Sequence, residues 1–526
     1  MRKQSVTILY DDTRPASEEI CSVTGRRSFG DTIFKRKSLR ERTLEILRRL
    51  PCVGEILVIC EDGTLADTAR NQSYAGEATD SLRFGQNKAT SSVRTIEGPV
   101  FRLFSDFLIT DSDAISVLIE KACYAEEIYR VISIQETEAF KGKQKITEMG
   151  KTLPLKNSRP AAVLYPSYGN YLATEDEEIS KAEEIPTQSL LDLSDIRNFR
   201  QFITSGFDAR FFNALSGDEY TVVKSSVNKE KIRAEYEYYR LLPDEMRMWF
   251  AQAFDYKEDE NGASYTMERF HMTDLALRFV HGAIGEEEFK QLMDKLFFFL
   301  THRKNKSVSK EEYAACQRKL YVDKVNSRIE KLKGLTEFRE IEGILAQTAE
   351  FGGLDTLVKR YFNLFERFQR TAKESGEPVL TVSHGDLCFS NILYNKEANL
   401  LRLIDPKGAL TEEELYTDPY YDLAKLSHSI CGSYDYFNSG LFEITLSEEN
   451  KLRLTIDENN KRYRKVFREY VERNSFDFIR VRIYEASLFL SMLPLHIDRP
   501  KKVLGFILNA EKILQEVCEM LNPDRK

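Results

Sequence analysis

The stretch TVSHGDLCFSNILY, residues 381–394, sets a histidine, an aspartate and an asparagine between two short apolar runs. His384, Gly385, Asp386 and Asn391 have the spacing H-G-D-x-x-x-x-N, and Asp405 follows fourteen residues after Asn391 in LLRLIDPKG. PVLTV before the motif and NILYN after it are rich in Val, Leu, Ile and Tyr, so each reads as a short strand. NLLRLID reads as another strand, ending at an aspartate. Strands hinged by a loop would bring Asp386, Asn391 and Asp405 to one end of a hairpin. Two carboxylates and an amide gathered there suit Mg²⁺ and nucleotide phosphates: hard oxygen ligands for the ion, and one carboxylate left to accept a hydroxyl proton. An Asp/Asn-stabilised turn with a capping histidine is the plainer alternative, but a turn needs only one or two of these groups.

The chain that must position them has 526 residues, too many for one ordinary core. Residues 1–165 alternate strand and helix signals: SVTILY a strand, SLRERTLEILRRL an amphipathic helix with Ser38 as N-cap, GEILVIC a buried strand. That rhythm predicts an α/β domain on a parallel sheet. A polar stretch from about 64 to 95 predicts a long loop, GPVFRLFSDFLIT resumes strand, and DAISVLIEKACYAEEIYRVI predicts helix. Residues 166–195, including YGNYLATEDEEISKAEEIPTQ, turn acidic and irregular and predict a linker. Residues 196–270 read as strands and helix, and 271–526 as mostly helical. The expected fold class is multidomain, α/β plus α+β: an N-terminal α/β domain, then a two-lobed domain with a helical second lobe.

Composition narrows the partners. Apolar content of 42% and charged content of 30% are those of a soluble globular protein. The net charge of −8 is spread without a basic block, which argues against non-specific nucleic-acid binding. Eight cysteines lie scattered without a Cys-x-x-Cys pair, as expected of reduced thiols in the cytoplasm. The apolar run in MRKQSVTILYDDTRP is too short for a signal sequence, and no window of about 18 residues is apolar and free of charge. A cytoplasmic protein without a membrane span is therefore expected.

HGDLCFSNIL, LIDPKG and DPYYDLAKLSH together resemble the aminoglycoside phosphotransferase and choline kinase superfamily, small-molecule kinases with a protein-kinase-like fold. The resemblance runs over roughly 200–526. Its layout is that of a kinase catalytic loop and metal-binding aspartate, with Gly385 where protein kinases have arginine. The resemblance implies ATP as donor, Asp386 as the catalytic base, His384 as the orienter of the catalytic loop, and Asn391 and Asp405 as Mg²⁺ ligands. Asp418 and Asp422 would support the loop from the following helix.

Such a fold also needs, upstream, a strand lysine held by a helix glutamate to position the nucleotide phosphates. EYTVVKSSVNKEKIRAEYEYYRLLP supplies Lys224 at the end of a β-branched run and Glu235 on a helix. Ile232, Tyr236 and Tyr239 place the buried stripe beside Glu235, so Glu230 and Glu237 are less well placed. FFNALSGDEYTVV would cover the phosphates, with only Ser216 and Gly217 where protein kinases have G-x-G-x-x-G. SYTMERFHMTDLAL resembles the adenine-receiving hinge, with Met267, Glu268 and Arg269 offering backbone hydrogen bonds. A cationic, choline-type acceptor would call for an aromatic cage. Trp249, Tyr434, Tyr436 and Phe437 are the available rings, though rings at helical spacing are more often core.

In the N-terminal block, SFGDTIFKRKSLRERTLEILRRLPCVGEILVICEDG is similar to the start of sugar-nucleotide and cytidylyl transferases. That resemblance implies Asp106, Asp111 or Asp113 as a metal carboxylate, and a place in surface-polysaccharide or capsule precursor synthesis. TILYDDTRPASEE, however, contains no glycine to let the backbone approach a triphosphate, which favours a degenerate, regulatory or differently specialised domain. Three readings result. The first is an ATP-dependent kinase acting on a hydroxyl of an amino alcohol, sugar or polyol. The second is a bifunctional kinase and nucleotidyltransferase making a nucleoside-diphosphate-activated alcohol or sugar. The third is a non-catalytic nucleotide-binding protein of kinase shape.

Overall fold

The computed structural model describes residues 5–25, 28–34, 37–60, 64–67, 82–83, 98–134, 147–148, 151–152, 159–204, 213–217, 220–348, 352–371, 377–447, 450–456 and 460–522. The chain divides into two compact units, Met1–Phe207 and Asp208–Lys526.

The first unit is built on a mixed sheet. Its strands are β1 (Val6–Asp11), β2 (Val53–Ile59), β3 (Thr64–Asp67), β4 (Leu82–Arg83), β5 (Val100–Phe104), β6 (Tyr129–Ser133), β7 (Ala162–Tyr165) and β8 (Glu183–Thr187), in the order β8-β6-β7-β5-β1-β2-β3-β4. The central strand β1 is buried at every position and pairs in parallel with β2 and β5, as its unbroken apolar run requires. Helix α1 (Leu39–Arg48) starts at a reciprocal Ser38–Glu41 capping box, and α2 (Ser112–Lys121) is capped by Asp111.

Three expectations are corrected here. The sheet is not all parallel: β7 runs antiparallel to both β5 and β6, and β3 runs antiparallel to β2, from which a connection too short for a crossover helix separates it. The helix read through YRVI ends at Lys121 and a short 3₁₀ turn, and Tyr129–Ser133 is instead β6, whose aromatic and β-branched residues suit a slot between two strands. The stretch read as a linker, 166–195, is integral to the first unit. Within it β8 pairs in parallel with β6, and Leu190–Asp192 pairs with Phe107–Ile109; the acidic side chains that suggested a linker lie mostly on exposed positions. Helix α3 (Ile196–Thr204) also belongs to this unit, with Phe199 packed edge-on against Phe29. The boundary therefore falls at 207/208 rather than at 195. The expected loop from 64 to 95 lies outside the described residues apart from β3 and β4.

The second unit opens with a four-stranded antiparallel sheet of β9 (Asn213–Gly217), β10 (Thr221–Ser226), β11 (Ala253–Glu258) and β12 (Ala263–Glu268), in the order β9-β10-β12-β11. Helix α4 (Lys229–Leu241) turns Ile232, Glu235, Tyr238 and Tyr239 inward. The remainder is mostly helical, including α5 (Glu286–Thr301), α6 (Lys324–Lys333) and α7 (Tyr420–Ile430). Phe478–Met492 is buried from Arg480 onward, so it runs through the core instead of lying on it. Strand β13 (Val379–Val382) pairs with Asn305–Ser307 and Tyr416–Thr417, not with the strand that follows it. The hairpin is formed by β14 (Ile392–Asn395) and β15 (Leu400–Leu403), with Ile392 opposite Leu403. Asn391 and Asp405 thus flank its open end. No helix among the described residues is long and apolar enough to cross a membrane.

Candidate active site

Lys224 on β10 and Glu235 on α4 are both buried, 4% exposed each, and their charged groups meet at 2.6 Å. The same ammonium lies 2.9 Å from Asp405, 181 residues away. Burial alone would lower the pKa of the Lys224 ammonium, but Asp405 and Glu235 outweigh it and the net shift is upward. Tyr265 on the neighbouring strand donates to Glu235, and Lys231 lies 3.6 Å from the second carboxylate oxygen. Glu235 rather than Glu230 or Glu237 is therefore the lysine's partner. Asp405 has φ +56°, left-handed backbone that Asp tolerates better than most residues. The Ile404 N–H donates to the Asn391 carbonyl at 3.0 Å, which draws Asp405 to the loop containing Asn391.

In that loop Asn391 donates from Nδ2 to the Asp386 carbonyl at 2.8 Å and to Asp386 Oδ2 at 3.2 Å. The other carboxylate oxygen, Oδ1, receives the Lys425 ammonium at 2.8 Å. His384 is fully buried, and both ring nitrogens are occupied. Nε2 contacts the Ile404 carbonyl at 2.9 Å and so carries the proton, while Nδ1 accepts the Asp386 N–H at 3.2 Å. Burial holds its pKa below the usual histidine value despite Asp422 and Asp386 nearby. Its ring stacks on Phe250, centroids 5.8 Å apart. His384 shapes the loop, and no ring nitrogen is left to exchange a proton with a ligand.

Two N–H groups of the loop, His384 and Gly385, donate to the two oxygens of Asp422 at 3.0 and 2.9 Å. Asp422 in turn pairs at 2.8 Å with Arg303, both side chains having no exposed surface. Arg303 also donates to the carbonyls of Leu300 and Pro419, so each of its guanidinium nitrogens has a protein partner. Asp418 accepts from Gln317 and from the Tyr420 N–H.

The glycine in place of the kinase arginine has a physical reason. Gly385 has φ +75°, and a Cβ there would stand 2.6 Å from the Lys407 Cβ and 3.1 Å from its Cδ. Gly408 (φ +92°) is similarly confined: its Cβ would meet the backbone of Ala234 and Glu235 at 3.0 and 3.1 Å. The DPKG segment thus lies directly on helix α4. Gly385→Ala is expected to lose about 1–3 kcal/mol of stability and at least tenfold in kcat, read by denaturant unfolding and turnover. Unchanged values in both would show that the close approach is unimportant.

Other expected site residues are placed differently. The Met267 side chain is part of the core, and the N–H groups of Glu268 and Arg269 already donate to the carbonyls of Gln252 and Tyr220. The proposed hinge therefore has two of its three donors committed. Ser216 and Gly217 pair with Val223 and Val222, while the turn at 218–219 lies outside the described residues. Tyr434, Tyr436 and Phe437 are buried, with Phe437 against Phe442, Phe489 and Phe506, and Trp249 packs on Phe298 and Phe299. In the first unit Asp106 is buried between Arg14 at 3.3 Å and Arg159 at 3.1 Å. Asp111 spends its carboxylate capping α2, and Asp113 is an exposed residue of that helix's first turn.

Sequence reasoning missed Arg303, Lys407 and Lys425. Lys425 had a signal: it lies three residues after Asp422 and four after Tyr421, on one helical face. Arg303 had none, since its partner is 119 residues away. Among the described residues no three His, Cys, Asp or Glu side chains cluster as a metal site. Mg²⁺, however, commonly takes one or two carboxylates and completes its shell with water and phosphates. Among the described residues no hydrogen bond reaches Asn391 Oδ1 or the Asp405 oxygen that does not face Lys224, so the donor set fits that ion.

No family model and no curated protein sequence matches the chain. Several solved structures align with it. A thermostable mutant of aminoglycoside phosphotransferase APH(4)-Ia in its apo form shares 11% identity over 58% of this chain and 94% of that one, with a TM-score of 0.36. A ternary complex of a mutant of that enzyme with AMP-PNP and hygromycin B shares 11% identity over 60% and 97%, with a TM-score of 0.34. APH(3'')-Id from Streptomyces rimosus, in complex with ADP and streptomycin, shares 15% identity over 58% and 98%, with a TM-score of 0.31. These are likenesses of the chain, at identities and TM-scores too low to assign it to a family.

Proposed function

We propose that residues 208–526 are an ATP-dependent kinase that phosphorylates a hydroxyl of a small acceptor. One observation carries this reading: the ion-pair chain from buried Glu235 and Lys224 to half-exposed Asp405 ends beside Asn391, whose amide holds Asp386. A structural salt bridge would not require a second carboxylate in left-handed backbone, nor an amide–carboxylate pair next to it. Lys224, fixed by Glu235, binds the α- and β-phosphates of ATP. Asp386 aligns the acceptor hydroxyl and accepts its proton while that oxygen bonds to the γ-phosphorus. The bond from the γ-phosphorus to the β,γ-bridging oxygen breaks, and ADP leaves. Mg²⁺ held by Asn391 Oδ1 and Asp405 would neutralise charge on the β- and γ-phosphates. His384 and the Arg303–Asp422 pair keep the loop in place.

The test is ligand-dependent melting of the whole chain. ATP with Mg²⁺ is expected to stabilise the wild type, by about 2.7 kcal/mol at a hundredfold excess over Kd. In Asp405→Asn, a substitution compatible with the backbone, the Mg²⁺ dependence of that shift is expected to vanish. A wild type that ATP and Mg²⁺ do not stabilise would overturn the reading.

A further inference from the structure

Lys425 and the stem of Lys407 lie against the catalytic loop, Lys324 reaches Tyr421 one helical turn before Lys425, and the reading above leaves all three without a ligand. Lys425 on α7 is 13% exposed, and its ammonium contacts Asp386 on the oxygen that does not face Asn391. One helical turn earlier, Tyr421 is buried and accepts a hydrogen bond from Lys324 Nζ at 2.8 Å. Lys324 opens α6 directly after a π-helical turn, Arg318–Asp323, an irregularity often found at functional sites. The stem of Lys407 crosses Gly385, the residue before Asp386, and its end is exposed.

Burial alone would raise the pKa of the Tyr421 phenol, but Lys324, Lys425 and Lys407 outweigh burial and lower it. Every other tyrosine with a displaced pKa among the described residues is displaced upward, Tyr238 and Tyr484 among them. Neither Lys324 nor Lys407 is ion-paired with a carboxylate among the described residues. Lys425 has Asp386 as its carboxylate partner, whereas Lys324 is held by a neutral phenol and Lys407 is exposed, so both can add positive charge to an anion's site.

We propose that the acceptor carries a phosphate or carboxylate, held by Lys324, Lys407 and Lys425, beside the hydroxyl that Asp386 deprotonates. This rests on the kinase reading and gives it a substrate class: an anionic alcohol, such as a sugar phosphate or hydroxy acid, in place of a cationic amino alcohol. Of the rings that could cage a quaternary ammonium, Tyr434, Tyr436 and Phe437 are buried against other aromatic side chains, and Trp249 packs on Phe298 and Phe299. Ammonium groups suit this task because each is a compact charge that binds phosphate oxygens without demanding a fixed plane.

The test loads the full chain with Mg²⁺ and AMP-PNP, then measures binding of glycerol 3-phosphate, glycerol and choline by calorimetry. Glycerol 3-phosphate is expected to bind at least tenfold more tightly than either of the others. Lys324→Met and, independently, Lys407→Met are expected to weaken that binding at least tenfold while changing AMP-PNP affinity less than twofold. Glycerol or choline binding as tightly, no saturable binding of glycerol 3-phosphate, or variants that instead weaken AMP-PNP would each overturn the proposal. Failure of the wild type to bind AMP-PNP with Mg²⁺ would instead remove the kinase reading beneath it, and the proposal with it.

Discussion

Asp386→Asn is expected to lower kcat by about 10²–10⁴-fold while leaving the KM for ATP within about twofold. The amide keeps an oxygen to accept from Asn391 or Lys425, so the loop need not rearrange. What it loses is the capacity to take the hydroxyl proton. In the proposed kinase ATP would be held through Lys224 and Asp405, whose ion-pair contacts among the described residues do not include Asp386, so the two kinetic constants should separate. A kcat within tenfold of wild type would show that Asp386 is structural.

Arg303→Leu is expected to destabilise the second unit by about 3–5 kcal/mol in denaturant, because it leaves the fully buried Asp422 carboxylate without its counter-charge. Activity should fall as well, since Asp422 tethers the N–H groups of His384 and Gly385. The double variant Arg303→Leu/Asp422→Leu separates the two effects. Replacing both charges should restore much of the stability, whereas the loop, having lost its acceptor, should stay poorly active. A loss below about 1 kcal/mol in Arg303→Leu would contradict the buried pairing.

How legible the site was depended on how far each interaction reaches along the chain. The His384–Asn391 loop and Asp405 were readable because hairpin geometry is local: fixed spacing places Asn391 and Asp405 at one open end. Lys224 and Glu235 were readable from a strand and a helix whose buried stripe selects one glutamate of three. The resemblance already implied His384 as an orienter of the loop; the geometry adds its partners, the Ile404 carbonyl and the Asp386 N–H, which no spacing names. Arg303 and Lys324 were invisible because their partners lie 119 and 97 residues away. In the fold, the acidic stretch 166–195 misled because its charge lies on exposed positions while its backbone completes a sheet. Strand pairing is set by partners, and PVLTV found them at 305–307 and 416–417 instead of at the adjacent apolar run.

The most direct test of the central claim is ³¹P NMR of the full chain with ATP, Mg²⁺ and a panel of neutral, anionic and cationic alcohols, with Asp386→Asn as control. The account predicts ADP together with a new phosphate monoester, in equal amounts and absent from the control. Release of pyrophosphate without ADP, or monoester formed equally well by Asp386→Asn, would contradict it.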